Sequence, residues 1–174
     1  MRMIEPLLQE LEQEAQTTRR VLERVPQEHL AWRPHPKSYS LGQLALHIAQ
    51  TPGLVAELGM QSPASPPQFV QDQAKTSAEL VPAMNASIAK AKEILSGMND
   101  ETFMAAWRLV AGDKELMSMP RGAFLRAIML NHWYHHRGQL TVYLRQLNVP
   151  VPSVYGPSAD ENPFAKIMET AQAV

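Results

Sequence analysis

Asn131-His132-Trp133-Tyr134-His135-His136-Arg137-Gly138-Gln139-Leu140 is the stretch from which both the fold and the chemistry can be read. His132 and His136 are four residues apart, so on an α-helix they share a face, with Cβ atoms about 6 Å apart. Two imidazoles at that spacing can reach one metal ion at about 2.0–2.1 Å each. His135 is turned about 100° away from His136 and cannot join them on a regular helix. Working outward, Leu125, Met129, His132, His136, Leu140, Tyr143 and Leu147 follow three- and four-residue steps, the pattern of a core-facing seam. Both imidazoles therefore point inward. Buried ring nitrogens need partners, and metal ligation on one nitrogen with an acceptor on the other supplies them.

The same periodicity recurs along the chain. In residues 4–25, Ile4, Leu8, Leu11, Ala15, Thr18, Leu22 and Val25 step 4-3-4-3-4-3, and Pro26 ends the helix. Glu10, Glu12 and Glu14 read as a solvated face of it. Residues 26–39 form a connector in which Arg33-Pro34-His35-Pro36 favours extended backbone. Ser40-Leu41-Gly42-Gln43 is a capping box that opens a second helix, with Leu44, His47 and Ile48 on one face and an expected kink or stop near Pro52-Gly53. Residues 61–76 read as a loop. A third helix is expected over residues 77–98, with Leu80, Met84, Ile88, Ala91 and Leu95 inward and Pro82 in its first turn. Residues 100–119 fit a small hairpin or a short helix plus loop, with Ala111-Gly112-Asp113-Lys114 as a turn. The fourth helix is expected over residues 120–147, with Ser118 as a candidate N-cap and Asn148 and Pro150 as its stop. Residues 149–174 are a Pro-rich tail ending in a short helix that docks through Phe164, Ile167 and Met168. Four long helical patterns predict an all-α four-helix bundle, with residues 1–174 as one domain.

Composition narrows the function classes. A hydrophobic content of 45% in 174 residues supports a sizeable core. Net charge −1 with no basic block argues against nucleic acid as a partner. The absence of cysteine removes disulfides, thiolate ligands and a cysteine nucleophile, and suits a reducing compartment. The N-terminus turns acidic at once, unlike a signal peptide, and no apolar run approaches the ~18 residues of a membrane span, so a cytoplasmic protein without a membrane partner is expected. No glycine-rich phosphate loop or Gly-x-Ser-x-Gly elbow is present.

The candidate metal set is His47, His132 and His136, one ligand from the second helix and two from the fourth. Three imidazoles leave a coordination position open and suit Zn²⁺, Ni²⁺, Cu²⁺ or Fe²⁺. The competing reading is three core histidines satisfied by carbonyls or water. His29 and His35 read as loop residues, His135 as solvated, Arg137 as an exposed helix arginine, and Tyr134 and Tyr143 as packing residues. Gln139 is either an outer hydrogen-bond partner of His136 or a packing residue. No general acid or base is legible.

Ser40-Leu41-Gly42-Gln43-Leu44-Ala45-Leu46-His47, His132-x-x-x-His136-Arg137-Gly138-Gln139-Leu140 and Val151-Pro152-Ser153-Val154-Tyr155-Gly156-Pro157-Ser158 together resemble the DinB family of damage-inducible proteins and the related YfiT-like metal-binding proteins. The resemblance implies an up-down-down-up four-helix bundle, commonly a homodimer, in which His47, His132 and His136 hold a divalent metal, often nickel or zinc. Relatives in that family include transferases that act with a low-molecular-weight thiol on an electrophile. The alternatives for the same site are a non-catalytic metal-binding stress-response or dimerisation module and a metal-dependent hydrolase.

Overall fold

The computed structural model describes residues 1–68 and 70–165. Four long helical stretches carry the fold: α1 (Glu5–Leu22), α2 (Leu41–Met60), α3 (Leu80–Ser96), and a last one that comprises α5 (Arg121–Phe124), a π-helical turn over Leu125–Asn131 and α6 (His132–Gln146). Between α3 and α5 lie a short α4 (Asp100–Met104) and an antiparallel hairpin of β1 (Ala106–Ala111) and β2 (Lys114–Pro120), so residues 100–119 combine the expected hairpin with the short helix of the alternative. Among the described residues no helix is long and apolar enough to cross a membrane.

Named contacts give the topology. Glu57 pairs with Lys90 at 2.5 Å and the Gly53 amide donates to Ser87 Oγ, so α2 and α3 run parallel. Asn85 and Lys92 of α3 meet Arg19 and Glu12 of α1, so that pair is antiparallel. Glu10 and Glu14 of α1 meet Arg126 and Arg137, so α1 and the last helix are parallel. The bundle is therefore up-down-down-up, with the ring order α1, α3, α2, α6. The parallel α2–α3 pair requires the long connection over residues 61–79.

Pro52 does not end α2. Proline has no N–H for the carbonyl one turn back, which here is Ile48. The indole Nε1–H of Trp133 donates to that carbonyl at 2.8 Å. Thr51 Oγ1 donates to the His47 carbonyl at 2.6 Å, and Ser87 Oγ donates to the Gln50 carbonyl at 2.9 Å. Gly53 lets α3 approach closely, because a Cβ there would lie 3.0 Å from Ser87 O and Oγ. Helix α2 thus crosses the proline because α6 takes up the one acceptor it leaves, while α3 receives the Gly53 amide.

The core is continuous through Leu11, Leu22, Leu44, Ile48, Met84, Leu95, Met129, Trp133 and Leu140. Small shifts from the expected seams follow from packing on two neighbours at once. Leu7 and Val21 are buried beside the expected α1 line while Leu8 is half-buried, and Ser87 replaces Ile88 as the buried α3 position. Ser118 lies in β2 and does not cap the last helix; the strand runs directly into it at Pro120. The π-helical turn, in which the His132 amide reaches the Ala127 carbonyl, widens one turn and rephases the helix beyond it. The innermost line of α6 is consequently Trp133, Arg137, Leu140 and Leu144, with His132 and His136 beside it. Arg121 is buried and donates to the carbonyls of Gly59 at 2.7 Å and Thr102 at 2.5 Å, near the negative ends of α2 and α4. In the tail, Asp160 pairs with Arg145 and accepts from the Val151 amide at 2.8 Å. Phe164 is half exposed, while Ile167 and Met168 fall outside the described residues.

The Trp133 bond can be tested directly. Trp133→Phe leaves the Ile48 carbonyl buried and unsatisfied, an expected loss of about 1–3 kcal/mol in denaturant unfolding. In a Pro52→Ala background, which restores a helical N–H, the same substitution should cost measurably less. Equal costs in the two backgrounds would show that the indole does not serve the proline gap.

Candidate metal centre

His47 projects from the middle of α2, and His132 and His136 from consecutive turns of α6. Their candidate ligand nitrogens all lie within 4.8 Å of one another. The ring centroids are 5.3 Å apart for His47 and His132, 4.7 Å for His47 and His136, and 4.4 Å for His132 and His136. The sequence-predicted triad is therefore assembled in space. His135 is exposed, 5.1 Å ring to ring from His136 and outside the triad. His29, half-buried, and His35, exposed, lie in the connector, and His35 Nδ1 accepts from the Lys37 amide.

Each ring is half-buried and electrically prepared to stay neutral. Burial is the largest effect on all three. It pushes His136 down to about 4, against the pull of Gln139 and with help from the neighbouring imidazoles. It lowers His47 against a hydrogen bond from Gln71, and His132 against the backbone of Ile128. Neutral imidazole is the form that ligates metal.

The outer partners are equally specific. Gln71 Oε1 lies 3.0 Å from His47 Nδ1, and Gln139 Oε1 lies 2.7 Å from His136 Nδ1. The Nε2 atoms of His132 and His136 are 2.7 Å apart. Two ligands on one ion at about 2.0–2.1 Å stand about 3.0–3.4 Å apart, close to the spacing of the His132 and His136 pair. An all-nitrogen donor set suits a divalent transition metal and disfavours calcium or magnesium. The donor set and its outer acceptors fit a divalent transition metal.

On the opposite side of α6 the structure corrects two expectations. Arg137 is not an exposed arginine. It is buried at 1% exposure, donating to Thr18 Oγ1 at 3.0 Å and Tyr155 OH at 2.5 Å and pairing with Glu14 at 2.6 Å. Glu10 and Glu14 do not form a solvated face: Glu14 is buried, and Glu10 accepts from Arg126 at 2.5 Å and Tyr134 OH at 3.0 Å. Glu12 remains exposed, paired with Lys92. Burial and the Glu10 contact raise the Tyr134 phenol, so it is no acid at neutral pH. Tyr143 packs edge-on to Trp32, 5.5 Å between centroids, and its hydroxyl meets the Tyr39 carbonyl at 3.3 Å. The Tyr39 ring lies 6.0 Å from that of His47, placing an aromatic wall beside the triad.

Sequence reading missed Gln71, Glu14 and Tyr155. Glu14 left a signal, since Leu7, Leu11, Glu14, Thr18, Val21 and Val25 form a second 4-3 line on α1 with a carboxylate in its middle. Gln71 left none, because a loop has no periodicity to place it. A groove of about 600 Å³ between α1 and α3, lined by Leu8, Glu12, Ala89 and Lys92, lies on the seam opposite the histidines and holds none of these groups.

An up-down-down-up helical bundle with three histidines gathered between its second and last long helices defines a class of candidate metal-binding bundle proteins. The chain matches the DinB family over residues 2–166 and belongs to it. It is 28% identical over 167 residues, 91% of each chain, to the uncharacterized protein YrdA of Bacillus subtilis. A DinB-like protein from Bacillus cereus superposes with a TM-score of 0.66 at 25% identity, covering 87% of this chain and 97% of that one. A DinB-like protein from Bacillus subtilis gives 0.64 at 24% identity, covering 83% and 96%, a likeness of fold.

Two outcomes are expected. Arg137→Met leaves Glu14 buried and unpaired and should cost about 3–5 kcal/mol in denaturant unfolding, part of which Glu14→Leu in the same chain recovers. The lowered histidines also set a pH dependence. As pH falls below the ordinary 6.5, the unfolded chain takes up protons before the folded one, whose His136 waits until about 4. Stability of metal-free protein is thus complete above about 6.5 and declines toward about 4. Thermal melts should fall by several degrees across that window, and His136→Gln should flatten the decline.

Proposed function

We propose that His47, His132 and His136 hold one divalent ion, nickel or zinc, and that the centre activates a low-molecular-weight thiol for transfer to an electrophile. The observation that carries the metal assignment is the convergence of three imidazoles whose candidate ligand nitrogens lie within 4.8 Å of one another, from two helices distant in the chain. Three protein ligands leave room for an exogenous one, the arrangement of catalytic and not of closed structural sites. The chain has no cysteine, so any thiolate at the centre arrives with a substrate. The resemblance to a family with thiol-dependent transferases supports the same choice.

A bound divalent cation supplies the positive charge that favours thiolate over thiol. The three histidines fix its position. Gln71 and Gln139 hold the rings of His47 and His136. Tyr39 stands beside His47, and Tyr143, packed against Trp32, holds its carbonyl. In the transfer the thiol loses its proton to solvent, an S–C bond forms, and the electrophile's displaced electron pair leaves with its leaving group or is protonated after addition. The same reading takes the chain as one domain acting in the cytoplasm as a homodimer.

Elemental analysis of untagged protein tests the site: wild type should hold about one ion per chain, and His47→Ala, His132→Ala and His136→Ala little or none. Equal content in wild type and His132→Ala removes the triad. Metal-replete protein should conjugate a cellular thiol to a model electrophile and lose the activity on chelation. Thiol-independent cleavage of ester or amide panels would make it a hydrolase instead. No turnover, together with a metal spectrum that no thiol perturbs, would make it a non-catalytic module. Sedimentation should report twice the chain mass.

A further inference from the structure

His47 is gripped by an amide that comes from outside its own helix. Gln71 lies in the connection between α2 and α3, is only 5% exposed, and places Oε1 3.0 Å from His47 Nδ1. The other end of that amide is committed, since Nε2 donates to the Asp72 carbonyl at 2.9 Å. Flipping the amide would set its oxygen against that carbonyl, so Oε1 faces the ring and accepts. His47 Nδ1 therefore carries the hydrogen, and its lone pair is on Nε2.

Gln71 is in turn seated on the first turn of α2. Gln43 Nε2 donates to the Gln71 carbonyl at 3.1 Å, while Gln43 Oε1 accepts from the Ser40 amide at 2.9 Å. Ser40 Oγ accepts from the Gln43 amide at 3.2 Å and donates to Gln73 Oε1 at 2.9 Å. Gly42 keeps the seat open, because a Cβ there would meet Gln73 Cγ at 3.0 Å and the Leu30 carbonyl at 3.1 Å. The residues that cap α2 thus also hold the segment that holds the imidazole. Gln139 grips His136 from within α6, three residues on, and needs no loop.

We infer that Gln71 is a positioning residue of the metal centre: it sets the tautomer and ring plane of His47, and the Ser40–Gln43 cap sets Gln71. The inference rests on the metal reading above. It makes metal affinity a property of the α2–α3 connection as well as of the three ligands. An outer acceptor of this kind fixes a ligating imidazole, and its loss weakens metal binding by about 10–100-fold.

Two measurements on full-length, untagged protein test it. In metal-free protein, ¹H–¹⁵N correlations of the histidine rings should show His47 as the Nδ1–H tautomer in wild type and in Gln71→Glu, and as a mixed or Nε2–H form in Gln71→Leu. In zinc titrations against a competing chelator, Gln71→Leu should bind about 10–100-fold more weakly. Gln71→Glu, which keeps the acceptor and adds charge, should bind at least as tightly as wild type. Gln43→Ala should weaken zinc on its own and add little to Gln71→Leu, whatever its effect on the unfolding midpoint. Wild-type zinc affinity and an unchanged His47 tautomer in Gln71→Leu would overturn the inference, as would weaker zinc binding by Gln71→Glu. Failure of wild type to bind zinc overturns the metal reading and the metal half of this one, and is told apart because the tautomer is read without metal.

Discussion

A proline without an N–H and an indole with one hold this molecule in register. The Ile48 carbonyl, left open by Pro52, receives Trp133 Nε1–H across the seam between α2 and α6. Ile48 follows His47 in the chain, and Trp133 follows His132. The buried bond therefore fixes, at one residue's remove, how far α2 slides along α6, and with it the height at which one imidazole meets the other two. Both partners are fully buried, where an unsatisfied carbonyl is costly, so a slip of the seam would lose the bond and separate the rings together.

Rotation of α6 is fixed from its other side. Arg137 is buried against α1 by Glu14 and Thr18 and is met by Tyr155 from the tail, and the arginine lies over the rings of Tyr134 and Tyr155 at 5.2 and 5.0 Å. A buried ion pair is weak evidence for stability, since desolvation offsets much of its attraction. Its geometry is nevertheless demanding, and a helix clamped at Arg137 presents the neighbouring His136 toward α2. Two of the three stretches that resemble the DinB family thus meet in space, through Arg137 and Tyr155, and the remaining one carries His47 and its cap.

The helices were legible because hydrophobic periodicity, caps and prolines act locally. The 4-3 seam of α1, the capping box at Ser40 and the run of inward residues on α3 all appear within a residue or two of expectation. The ligands were legible because His132 and His136 share a face by spacing alone. What failed did so for nonlocal reasons. Glu14 and Arg137 look solvated until each is seen to have the other. Pro52-Gly53 looks like a break until Trp133 takes up the freed carbonyl and Ser87 the Gly53 amide. Gln71 looks like any loop glutamine until the cap of α2 delivers it to a ring.

By itself, then, the sequence determined where helices begin and end, that they must pack on apolar stripes, and that two imidazoles share one of those stripes, since propensity and period are properties of neighbours in the chain. Tertiary structure alone decided how closely the ring of His47, already a candidate ligand in the sequence, meets the other two, that a proline could sit inside a core helix, and which polar groups could be buried. Each of those depends on a partner tens of residues away, and a buried charge, an open carbonyl or a ring nitrogen is tolerable only once that partner has arrived.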